Sequence, residues 1–142
     1  MNKYFGIIIL ACTACAAAGQ EGSLNGSWQV EKAGSAAVAR GVSLEFAADG
    51  RYATRGGCNN LMGEYRAEKG SLKMSDAVST LKACMDTKLM ETDNLLGAAV
   101  SRSDSYRIEN GRLLILDKQG KPVLEAVRQP EKPAAPKEKA KP

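Results

Sequence analysis

The sequence predicts an α+β domain in which a curved antiparallel sheet of about seven or eight strands carries one packed helix. Three observations lead there. Short runs of alternating apolar and polar residues recur with turn-forming residues between them. One segment alone, beginning near Asp86, has helical spacing. No internal repeat of solenoid type is present.

In chain order, Val42, Leu44 and Phe46 alternate with polar residues, and Ala48-Asp49-Gly50 turns the chain into 51–54 as a hairpin. Residues 63–67 and Ser71–Met74 flank Glu68-Lys69-Gly70 as a second. Asp86 suits a helix N-cap. Leu89, Leu96, Ala99 and Val100 continue at helical spacing to about Ser101, and Met90 and Leu95 broaden the apolar side. Gly97 weakens this helix and is expected to let it approach the sheet closely. Ser105–Glu109 and Arg112–Leu116 flank Asn110-Gly111, the strongest short hairpin signal. A last strand covers 123–127, with Pro122 suited to its first position.

The chain of 142 residues carries a net charge of +4 and no histidine. Without histidine there is no Ser-His-Asp or Cys-His triad and no imidazole metal site. One positive charge belongs to Lys3 and two to the segment 130–142, so the middle is nearly neutral and nucleic acid is not an expected partner. Residues 1–18 combine Lys3, a short apolar run and small residues, the layout of an export signal. The run is too short to span a bilayer, which takes about 20 residues. Cys12 and Cys15, each after an alanine, resemble a bacterial lipidation site. Cys15 has the better signal length, Cys12 the branched Ile9 three residues back. Threonine or alanine follows each, which is compatible with outer-membrane sorting. The expected location is the cell envelope, as an outer-membrane lipoprotein facing the periplasm. Cleavage after Ala16-Ala17-Ala18, giving a secreted or periplasmic soluble protein, is the alternative. The domain organisation is then a signal at 1–15, a linker at 16–21, one domain at 22–129 and a Pro/Ala/Lys tail at 130–142, expected to be disordered.

Cys58 and Cys84 lack CxxC spacing and make a poor zinc site, so no metal and no cofactor is expected. In an exported protein they are expected to form a structural disulfide. Closing about 26 residues contributes roughly 3.5 kcal/mol in the chain-entropy model. A pair of buried free thiols is the alternative. Gly56-Gly57 allows positive φ, and Asn59 is expected to hydrogen-bond its own backbone in a tight turn. Trp28 is a core anchor whose indole N–H needs a partner, with Tyr65 and Tyr106 in similar roles. Glu91 is a brace for the helix start and a weak catalytic candidate.

These residues resemble the META domain family, whose HslJ-like members are mostly envelope proteins. The resemblance rests on Leu24-Asn25-Gly26-Ser27-Trp28, Leu44-Glu45-Phe46 and Gly57-Cys58-Asn59-Asn60 with Gly63 and Tyr65. It continues through Thr80-Leu81-Lys82-Ala83-Cys84, Glu91 and the segment 113–116. It implies a partly open, barrel-like sheet with a helix, structural roles for the motif residues, a link to stress tolerance and no catalytic constellation. The functional expectation is a non-enzymatic envelope lipoprotein, anchored to the membrane by its lipid. It would act as a binding or scaffolding module toward an envelope protein, lipid or hydrophobic peptide. A second reading is a lipid or peptide carrier with an apolar pocket lined by Leu89, Leu96, Val100, Leu114 and Leu116. A third is a thiol-redox protein.

Overall fold

The computed structural model describes residues 22–130. The signal, the linker, both N-terminal cysteines and all but the first residue of the tail lie outside the described residues.

The elements run β1 (Gly26–Ala33), β2 (Ala36–Ala37), β3 (Ser43–Phe46), β4 (Arg51–Arg55), β5 (Leu61–Glu68), β6 (Ser71–Met74), β7 (Val78–Ser79), α1 (Thr87–Arg102), β8 (Ser105–Glu109), β9 (Arg112–Leu116) and β10 (Pro122–Arg128). Every pairing is antiparallel. Following the ladders gives β10-β9-β8-β6-β5-β4-β3-β1, and β1 pairs back with β10. Eight strands thus close a ring. The expectation of a curved α+β sheet with one helix holds, with two further strands of two residues each.

The ring is uneven. β1 and β10 pair along five residues of each strand, from Trp28 with Arg128 to Ala33 with Leu124. β6 and β8 share one pair, Ser71 with Ser105, supported by Leu72 N–H to Asp104 O at 3.0 Å and Tyr106 N–H to Gly70 O at 2.9 Å. At this thin seam the chain leaves the ring after β6. It forms β7 and the segment 80–86, builds α1 and returns as β8.

The hairpin turns follow their sequences. Asn110 and Gly111 adopt φ of 51° and 73°, and Lys69 and Gly70 adopt 49° and 84°. Paired positive φ at both central residues matches the right-handed twist of the strands they join. Asp86 caps α1, its carboxylate accepting from Lys88 N at 2.9 Å and Leu89 N at 3.2 Å. Pro122 occupies the first position of β10.

Inward side chains fill the ring: Trp28, Val30, Leu44, Phe46, Tyr52, Leu72, Leu113 and Ile115 are all buried. α1 packs on β1 and β10 through Leu96, Ala99 and Val100. It also buries Thr92, whose hydroxyl accepts from Ala39 N at 3.0 Å. Gly97 does not do what its position suggested. A Cβ there would meet nothing within 4 Å, so this glycine faces open space and not the sheet.

Candidate interaction site

The connection from β4 to β5, residues 56–60, is a corner that holds a second peptide segment. Gly56 has φ of +91°, and a Cβ on it would lie 2.3 Å from the Gly41 carbonyl oxygen. Gly57 is required by space alone, because a Cβ there would lie 2.1 Å from Asp93 Oδ1. Gly63 is similar, with the Tyr52 ring 2.7 Å from its absent Cβ. Tyr52 donates its hydroxyl to Ser75 O at 2.8 Å, and burial, with Asp76 adding to it, pushes its pKa up to about 12.

With the corner packed this tightly, the Asn59 side chain turns outward and not back onto its own backbone. Its Oδ1 accepts from Lys82 N at 2.7 Å and from the Thr80 hydroxyl at 3.1 Å. Asp93 of α1 fixes the other side: its Oδ2 accepts from Asn59 N at 2.8 Å and from Asn59 Nδ2 at 3.3 Å. Asn60 N–H donates to the Thr80 hydroxyl at 3.1 Å, and Thr80 N–H donates to Asn60 O at 3.2 Å. The buried Thr54 accepts from Leu61 N at 3.1 Å and completes the corner. Asp93 Oδ1 is buried against Gly57 without a hydrogen bond.

Asp93 and Thr92 were missed in favour of Glu91. Glu91 is exposed and pairs with Lys88 at 3.7 Å, a bond of modest worth on a helix surface. The signal for Asp93 was present. Positions 89, 93, 96 and 100 share a helix face, so a carboxylate inside the apolar stripe called for a buried partner.

Cys58 and Cys84 are free thiols, both half-buried. The disulfide expected between them is therefore not formed in this structure. They line one open cleft of about 660 Å³, together with Asn59, Met90, Asp93 and Gly97. Cys58 Sγ donates to Lys82 O at 3.8 Å and Cys84 Sγ to Asp86 O at 3.9 Å. The neighbouring Cys84 thiol, with desolvation next, pushes the Cys58 pKa up to about 11.

The segment clamped by Asn59 carries exposed apolar side chains. Leu81 is 97% and Met85 100% accessible, and Val78, Met90 and Met62 are also exposed. The five residues expected to line an apolar pocket differ in burial. Leu96, Val100 and Leu116 are buried, the first two within the main core cluster; Leu114 is half-buried between the inward Leu113 and Ile115, and Leu89 is half-buried on α1. None of the five lines the principal surface clefts. β-strand alternation explains Leu114, since neighbours in a strand face opposite sides.

The remaining motif residues act at the ends of the domain. Trp28 is fully buried, donates from Nε1 to Leu24 O at 2.9 Å and carries the Arg128 guanidinium 3.9 Å from its ring centroid. Arg128 also donates to Asn25 O at 2.7 Å and to Ser23 O. Tyr65 packs edge-on to Phe46, and its hydroxyl lies 2.7 Å from both Ala47 O and Asn25 Oδ1, which share its one proton. Among the described residues no three His, Cys, Asp or Glu side chains group to hold a metal ion, and no helix is long and apolar enough to cross a membrane.

Two solved structures share this architecture. One is an NMR structure of a protein from Burkholderia xenovorans, 21% identical, covering 72% of this chain and 81% of its own at a TM-score of 0.59. Another is a crystal structure of a DUF4847 family protein from Bacteroides vulgatus, 13% identical, covering 75% and 95% at a TM-score of 0.55. At such identities the likeness is one of fold. None of the curated proteins compared matches the sequence. The model of the META domain matches residues 22–131, which spans the whole ring, the Asn59 corner and α1. The chain belongs to the META domain family.

Proposed function

We propose that this protein is a non-enzymatic binding or scaffolding module of the cell envelope, held at the membrane by a lipid on Cys15 or Cys12 and working in envelope stress tolerance. One observation carries the binding role. The large exposed apolar side chains Val78, Leu81, Met85 and Met90 fall within a single stretch, and the stretch is tied to a rigid corner by Asn59. Folding leaves such side chains in water at a cost, and several of them within one stretch of chain point to a contact site. Methionine suits such a surface because its flexible thioether adapts to varied partners. The filled ring supports contact on the outside of the domain and not carriage of a ligand within it. The partner is an apolar surface of an envelope protein, a hydrophobic peptide or lipid.

The test is a photo-crosslinking residue placed at Met85 in the native envelope, with a control at Lys118 in the β9–β10 turn. Discrete adducts at 85 and none at 118 support the reading. Equal labelling at both positions, or saturable turnover by the purified protein that Glu91→Gln abolishes, overturns it. Mass spectrometry of the mature N-terminus checks the anchor, where an unmodified start after Ala18 rules out lipidation.

A further inference from the structure

The Cys58/Cys84 cleft has a chemistry that the packing of the fold does not use. The ladder that pairs Leu61 with Ser79 continues through the bonds between Asn60 and Thr80 and through Asn59 to Lys82. Carried on, its register sets Cys58 against Lys82, whose carbonyl lies 3.8 Å from Cys58 Sγ. Cys84 is two residues beyond Lys82 and lines the same cleft as Cys58, its Sγ donating to Asp86 O at 3.9 Å. Two thiols therefore share one cleft, next in sequence to the exposed Met85.

We propose that Cys58 and Cys84 form a thiol–disulfide exchange site, oxidised by a disulfide-bearing reactant, whose bond latches the segment 80–86 and its apolar side chains onto the 56–60 corner. The latching of a partner surface rests on the function proposed above; the exchange chemistry does not. Either sulfur can open the exchange, since the atoms balance the same way from both; taking Cys84 first, its thiolate is the nucleophile. The Cys84 thiolate forms a bond to one sulfur of the oxidant R–S–S–R, and RS⁻ leaves. Cys58 then gives up its proton, and its sulfur attacks Cys84 Sγ, breaking the mixed disulfide and releasing the second RS⁻. The two leaving thiolates take up the two protons lost by the protein. Two protein thiols and one oxidant disulfide thus become one protein disulfide and two reduced thiols. The open cleft of about 660 Å³ gives the reactant access to both sulfurs.

The experiment uses the full chain equilibrated with glutathione disulfide, then alkylated and cut with trypsin without reduction. Cleavage after Arg55, Arg66, Lys82 and Lys88 places Cys58 in the peptide 56–66 and Cys84 in 83–88, apart from Cys12 and Cys15. The expected product is the linked pair 56–66/83–88, lost in Cys84→Ser and restored to separate peptides by reductant. Separate alkylated peptides, or a stable glutathione adduct on either cysteine with the other still alkylated, overturn the exchange site. Brief proteolysis of the folded protein reads the latch, with cleavage after Lys82 expected to slow roughly tenfold on oxidation. An unchanged rate with the linked peptide present overturns the latch alone. Crosslinking at Met85 is read separately, so its failure is not confused with either result.

Discussion

The β1–β10 side of the ring and the 56–60 corner are built from opposite materials. On the first, Trp28 is buried, its polar atom is satisfied, and Arg128 closes over it while bonding the backbone at Ser23 and Asn25. Both ends of the domain are locked by apolar burial with polar groups laid across the outside. At the corner, part-buried and exposed hydrogen bonds of Asn59, Asp93 and Thr80 hold the segment, and the apolar side chains Leu81 and Met85 stand in solvent. The first region contributes stability. The second spends polar contacts to hold a hydrophobic surface in water. Substitutions should therefore separate the two by size and by locality.

The largest effect is expected from Trp28→Ala. Removing a fully buried indole leaves a cavity and strands the Leu24 carbonyl and Arg128, for a loss of about 3–5 kcal/mol by chemical denaturation. A loss below about 1 kcal/mol would show that the ring closes without this anchor. Thr54→Val should come next. The shape is kept, but the N–H of the buried Leu61 loses its acceptor, costing about 1–3 kcal/mol. This residue is where the ring and the corner meet, so its variant tests whether they melt together, seen as coincident fluorescence and circular dichroism transitions.

Asn59→Ala should act locally. It removes the acceptor for Lys82 N and Thr80 Oγ1, so amide exchange at 80–82 should quicken while the global midpoint moves by only about 1 kcal/mol. If the whole domain unfolds instead, the corner is part of the core and the contrast fails.

How much of this the sequence showed depended on the range of each interaction. Asn110-Gly111 was legible because its turn is settled by two adjacent residues with positive φ. Asp86 was legible because a cap is satisfied two and three residues on. The resemblance carried by Gly57, Cys58, Asn59 and Gly63 named the family, and the structure supplies the reason for two of those glycines: Asp93 beside Gly57, and Tyr52 beside Gly63. Asn59 was misread because its partners are more than twenty residues away, and no local rule favours them over its own backbone. β1 escaped notice for a different reason. Its inward alternation of Trp28 and Val30 breaks at Glu31-Lys32, where the register shifts against β10, so no period of two survives along it. Apolar spacing describes a packed core and a pocket wall equally well, so it could not mark Leu96 and Val100 as members of the core cluster.

Acid should find the contrast from another direction. Asp117, in the β9–β10 turn, accepts from Lys121 N at 2.9 Å and Gln119 N at 3.0 Å and pairs with Arg102 of α1 at 3.0 Å. The Lys121 bond leads in holding its carboxyl below the usual range. A carboxylate with a lowered folded pKa stabilises the fold above its unfolded pKa of about 3.9, and that stability disappears as pH falls through the folded value. Asp117→Asn should therefore lower the melting temperature at neutral pH. Its gap from the parent should narrow as acid protonates Asp117. A gap constant from neutral pH into acid would mean that charge at 117 does not matter.

The smallest effect on stability should come with the largest effect on function. Replacing Leu81 and Met85 together by serine removes side chains that are 97% and 100% exposed, so the denaturation midpoint should shift by no more than about 0.5 kcal/mol. The same double change should abolish photo-crosslinking from position 90, because the apolar surface beside it is gone. Retained crosslinks would assign the contact to Val78 and Met62 on the outer face of β5 and β7. A loss of several kcal/mol would reveal that these side chains are packed in solution, and the corner would then be a piece of core and not a display.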